Sequence, residues 1–144
     1  MNDFNNILEK LPHGKDFRFV DKIVEASSLN KTLTASYTIG PANAIVASHF
    51  PGFPIWPGVL ILEGMAQTAG LLSLYLFKDE PGNSIPLLAK IYNARFITPI
   101  LPGATIHYTA TIEGGFVGMI KFRCTATIDN SLAAEAKFLA KKHL

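Results

Sequence analysis

Four residues of chemical interest fall in one continuous stretch, His49 to Gly70, HFPGFPIWPGVLILEGMAQTAG. His49 carries an imidazole, which exchanges protons near neutrality and suits a base. Glu63 is a carboxylate in an otherwise apolar run, a costly placement unless the group is paired or functional. Gln67 follows Glu63 at i+4, so on a helix the two side chains stand one above the other. Gly58 opens the apolar run, where a helix N-terminus offers N–H groups to negative charge. An imidazole, a carboxylate and a backbone amide make a set suited to acid–base chemistry beside a stabilised anion. Each has a plainer reading. A lone histidine is usually structural, and Glu63 alone could be half of a buried ion pair at a subunit interface.

Other chemistries find no support. Ser48 and His49 are adjacent, so on an extended chain their side chains point apart, and no GxSxG is present. No HxxxH, CxxC or carboxylate triad at ligand spacing appears, so no metal is expected. Net charge is +2, too small to argue for nucleic acid. Cys124 is the sole cysteine, which excludes an internal disulfide and fits a reducing compartment. The start, MNDFNNILEK, lacks a basic region followed by an apolar run, so no signal peptide is expected. Val59 to Phe77 has nearly the ~20 residues needed to span a bilayer, but Glu63, Gln67 and two glycines argue against a span.

The elements that must position these residues follow from pattern. His49 to Gly58 holds three prolines and two glycines, the composition of a shaped loop. From Gly58 to about Phe77 almost every residue is apolar, which predicts a helix buried all round. Asn2 or Asp3 would cap a short helix ended by Pro12. Strands are expected at Asp21 to Ala26 and Thr32 to Ile39. Further strands are expected at Leu87 to Phe96, Ala104 to Glu113 and Phe116 to Ile128. Ala44 to Ser48 reads as the lead-in to the loop. Leu132 to Lys141 has helix-favouring composition, but its place after hairpin-linked strands favours a further antiparallel strand. His107 and His143 are expected in solvent. The sum is one α+β domain over residues 1–144, an antiparallel sheet of about six strands wrapped around one long helix. Hydrophobic residues at 49% against 17% charged are high for a small monomer, so a second subunit is expected to cover part of the surface.

Leu11-Pro12-His13 with Phe17, Val20 and Asp21 resembles the opening motif of FabZ-type 3-hydroxyacyl-acyl-carrier-protein dehydratases. His49-Phe50-Pro51-Gly52, Pro54, Pro57-Gly58-Val59-Leu60, Glu63 and Met65-Ala66-Gln67 are similar to that family's signature segment. Ala94-Arg95-Phe96, Pro99 and Pro102-Gly103 resemble a third block. The resemblance implies the hot-dog fold and dehydration of 3-hydroxyacyl-acyl-carrier-protein to the trans-2-enoyl product, in the cytoplasm and without a cofactor. It implies catalytic roles for His49 and Glu63, and a backbone N–H from Gly58 to the thioester carbonyl. Gln67 would hold the carboxylate or a water. His13 would shape the site entrance or serve a turn. Phe50, Trp56, Tyr92 and Phe96 are the candidates to line an acyl channel, with ordinary core an equal reading for Tyr92 and Phe96. In the family one site draws its histidine and glutamate from different subunits, so a homodimer is the minimal unit, and trimers of dimers occur. Glu63 in place of aspartate resembles the dehydratase-only branch.

Several positions depart from the pattern. Ser48 stands where a glycine is usual, Trp56 where methionine is usual and Gly64 where alanine is usual. Gly14-Lys15-Asp16 replaces a basic-aromatic-proline run, and Ile97 an arginine. Two alternatives stay open on the residues: a hot-dog acyl thioesterase, and a non-catalytic acyl-binding subunit of a synthase.

Overall fold

The computed structural model describes residues 3–142. The capping candidate Asn2 and the tail residue His143 lie outside the described residues. The long apolar run forms helix α3, Gly58–Leu76, and the rest of the chain is arranged around it. Six strands make one sheet: β1 Lys22–Ser27, β2 Thr32–Thr38, β3 Leu87–Phe96, β4 Thr105–Phe116, β5 Met119–Ile128 and β6 Ser131–Lys141. Their order is β1-β2-β4-β5-β6-β3, and every neighbouring pair is antiparallel. The helix-favouring segment at 132–141 is therefore a strand, held on one side by β5 and on the other by β3.

Alternation decides which face meets the helix. Leu33 and Ala35 of β2, Ile106, Tyr108 and Ala110 of β4, and Phe122, Cys124 and Ala126 of β5 are buried. They pack with Ile61, Met65, Leu71 and Leu72 of α3 into one core. Each large apolar side chain removed from water there contributes roughly 1.5–3 kcal/mol. The helix is not covered all round, however. Val59 is 72% exposed, and Leu62, Glu63 and Ala66 are only half-buried. That strip of α3 has no sheet over it. His107 sits half-buried on the outer face of β4, rather than free in solvent.

Two further elements matter for the site. Residues 44–49, read from sequence as a lead-in, form a short helix α2, Ala44–His49. Asn43 caps it, its side chain accepting from Ile45 N at 2.8 Å and Val46 N at 3.3 Å. At the N-terminus, α1 (Asp3–Glu9) buries Ile7, and a 3₁₀ turn follows at Lys15–Phe17. Strand β3 is an edge, paired only with β6, and a register break between Tyr92 and Arg95 accompanies Asn93 at φ 56°.

Candidate active site

His49 is the last residue of α2, so a helix end and not the loop itself carries it. Its Nδ1 lies 3.1 Å from the carbonyl of Ile55. A carbonyl only accepts, so Nδ1 donates, and in the neutral ring the lone pair sits on Nε2. The same bond ties the shaped loop to the helix that precedes it. Gly52 supplies a φ of +87° at the loop's turn, and Trp56 N donates to Ile100 O at 2.7 Å. The loop thus delivers the chain to Pro57, the N-cap of α3. Phe50, half-exposed, stacks on the imidazole with ring centroids 4.2 Å apart.

At the start of α3 the earliest intrahelical bonds are Leu60 N and Ile61 N to Pro57 O. The N–H groups of Gly58 and Val59 precede them, and no side chain caps the helix. They are free to meet a negatively charged oxygen. A Cβ on Gly58 would stand 3.1 Å from the Phe96 ring, so the glycine lets β3 pack against the helix end. Gly58, Trp56 and Phe96 border one depression, with Ile97 and Ile100. Most of Trp56 nevertheless faces inward. It is 2% exposed and packs edge-on to Phe19 at 5.7 Å and beside Tyr37 at 5.7 Å. Tyr92 lies elsewhere on β3, with the Lys90 and Lys121 ammonium groups each 5.6 Å from its ring centroid.

Glu63 stands on the uncovered strip of α3 and lines a cavity of about 200 Å³ with His13, Ala66, Gly70, Ile85 and Phe138. Gln67 is buried, and both of its polar atoms are engaged. Its Oε1 accepts from Phe19 N at 2.8 Å, and its Nε2 donates to Phe17 O at 2.9 Å and to Glu63 Oε2 at 3.1 Å. It holds the carboxylate and clamps the Phe17–Phe19 segment to the helix. His13 Nε2 is 3.3 Å from the same Oε2. Sequence reasoning missed this last contact, because the two residues are far apart in the chain and only the Leu-Pro-His motif marked His13. The Ile55 carbonyl was missed too, since a backbone acceptor leaves no trace in residue type.

One chain does not bring all these groups together. His49 borders a depression with Ala44, Ile45, Ser48 and Pro57, whereas Glu63 lines the separate cavity beneath His13. The imidazole and the helix N-terminus lie by one depression, and the carboxylate with its donors lies by the other.

Comparison with known proteins gives the family. The FabA-like domain family matches residues 11–137. A 3-hydroxyacyl-[acyl-carrier-protein] dehydratase FabZ of Polynucleobacter necessarius is 43% identical over 93% of this chain and 88% of its own length. That of Dechloromonas aromatica is 36% identical over 97% of both chains, and that of Campylobacter jejuni 37% over 97% of both. Among solved structures, the dehydratase heterocomplex ApeI:P from Xenorhabdus doucetiae superposes with a TM-score of 0.79 over 96% of this chain and 91% of that one, at 13% identity. The smu.793 protein of Streptococcus mutans, bound to acetyl CoA, gives 0.67 over 92% and 95%, also at 13% identity. These distant likenesses establish the hot-dog architecture. The chain belongs to the FabA-like domain family, among the FabZ-type 3-hydroxyacyl-acyl-carrier-protein dehydratases.

Proposed function

We propose that this chain is a hydro-lyase that converts 3-hydroxyacyl-acyl-carrier-protein to trans-2-enoyl-acyl-carrier-protein in fatty acid biosynthesis. The observation that carries the reading is the Nδ1 contact to Ile55 O, because it leaves His49 Nε2 as a base beside an uncapped helix N-terminus. Nε2 takes the proton from Cα of the thioester. Negative charge grows on the thioester oxygen, where the N–H groups of Gly58 and Val59 stabilise it. Glu63 gives a proton to the hydroxyl leaving Cβ, and water departs. Gln67 orients that carboxylate. Phe50, Trp56 and Phe96 border the route of the acyl chain.

The active unit is a homodimer of this one-domain chain, with His49 of one copy facing Glu63 of the other. Support comes from the uncovered strip of α3 and from the apolar edge strand β3, where Leu87, Leu88, Ile91 and Phe96 are all exposed. Assembly into trimers of dimers is compatible with this unit. The substrate arrives on acyl carrier protein. A cytoplasmic setting suits a chain whose sole cysteine, Cys124, is free.

Hydration of crotonyl-acyl-carrier-protein, followed by loss of enoyl absorbance, tests the reading. Wild type is active, and His49→Ala and Glu63→Gln each lose roughly 10²–10⁴-fold with folding intact. A wild type that binds the carrier protein without turnover, or that releases free thiol, overturns it.

A further inference from the structure

We propose that His13 is a positioning residue for Glu63, holding one carboxylate oxygen so that only the other meets the substrate. The inference rests on the dehydratase reading and deepens its account of Glu63. Three observations carry it. His13 Nε2 lies 3.3 Å from Glu63 Oε2, and Gln67 Nε2 donates to that same oxygen at 3.1 Å. Both contacts converge on Oε2, and Oε1 has no hydrogen-bond partner among the described residues. Oε1 is therefore the oxygen available to the leaving hydroxyl. The His13 tautomer follows from its surroundings. A bare nitrogen would repel Oε2, which is an acceptor also when Oε1 carries the proton that Glu63 gives, so Nε2 bears an N–H, and Nδ1 is buried where an N–H would find no acceptor.

The loop bearing His13 is fixed independently of the carboxylate. Arg18 Nη2 donates to Leu11 O at 2.7 Å and to His13 O at 3.4 Å, and Nη1 reaches Leu8 O at 3.4 Å. The His13 ring also stacks with Phe17 at 6.3 Å and 21°, while Gln67 clamps the Phe17 carbonyl. The imidazole is thus held from the chain side, and Glu63 is oriented by it.

The test compares His13→Leu, which fills the space without a donor, and His13→Gln, which restores a donor without an imidazole. Turnover of crotonyl-acyl-carrier-protein is measured for each, alone and combined with Glu63→Gln, with circular dichroism as a check on folding. Expected for His13→Leu is a kcat lower by roughly ten- to a hundredfold with KM changed less than about twofold. His13→Gln recovers most of the rate. In the Glu63→Gln background, His13→Leu costs almost nothing further, because the group it positions is gone. Wild-type kcat in His13→Leu overturns the proposal. So does an equal loss in the Leu and Gln variants, or an undiminished loss in the Glu63→Gln background. Those outcomes leave the dehydratase reading standing, whereas a wild type that does not turn over removes both.

Discussion

At Gly64 the missing side chain is occupied by a neighbour. A Cβ there would overlap the ring of Tyr108, which is fully buried beneath α3. This explains one departure from the family pattern, where alanine is usual: a large ring on β4 has taken the methyl's space. The two effects of Gly64→Ala oppose each other. Helix propensity favours alanine by roughly 0.8–1 kcal/mol, but overpacking a rigid core costs about 1–3 kcal/mol. The clash is expected to win, because Tyr108 is fully buried. Gly64→Ala is expected to lower thermal stability, and Tyr108→Leu in that background to recover part of it, as calorimetry would show. Equal or higher stability in Gly64→Ala would mean the ring moves. At this scale the sequence is legible where chemistry and spacing coincide. Glu63 and Gln67 at i and i+4 do meet. The Gly64–Tyr108 pairing was not legible, because it depends on which strand passes under which turn of the helix.

Helix α2 positions the imidazole, and it is too short to hold itself. A six-residue helix forms only with help from its ends and its packing. Asn43 supplies the N-terminal end, and Val46 is the one residue α2 buries. Removing the cap in Asn43→Ala costs about 1 kcal/mol. Because that loss falls on the helix ending at His49, amide exchange over residues 44–49 is expected to quicken, and kcat to fall more than global stability does. Unchanged exchange there would show that the loop, through Ile55, suffices. The helix was missed in sequence because AIVAS is apolar and β-branched, and only the preceding asparagine marked a start. The segment at 132–141 shows the converse. Alanine, glutamate and lysine favour a helix, yet strands on both sides pair with most of the segment, and pairing overrides propensity.

For the whole molecule, the division of the site between two depressions has a testable arithmetic. If His49 of one copy serves Glu63 of the other, two inactive variants can complement. In a mixed dimer of His49→Ala and Glu63→Gln, one site carries both lesions and the other carries none. Co-refolding equal amounts makes half the dimers mixed, so roughly a quarter of wild-type activity is expected. No recovery would mean that each chain completes its own site. The architecture was legible from sequence, because a buried helix among alternating strands admits few arrangements. The incomplete cover of α3 was not: a composition apolar all round does not say whether the covering comes from the same chain. By length and hydropathy α3 could cross a bilayer, and 61% of its most apolar window is instead buried within the fold.

Trp56 has a practical consequence. It is the only tryptophan in the chain, and it abuts the N-cap of α3 inside a cage of Phe19 and Tyr37. All indole emission from this protein therefore arises at the doorstep of its candidate oxyanion site. The fold has placed a fluorescent probe where the loop meets the helix, so substrate arrival and loop loosening can be followed in the native protein without a label.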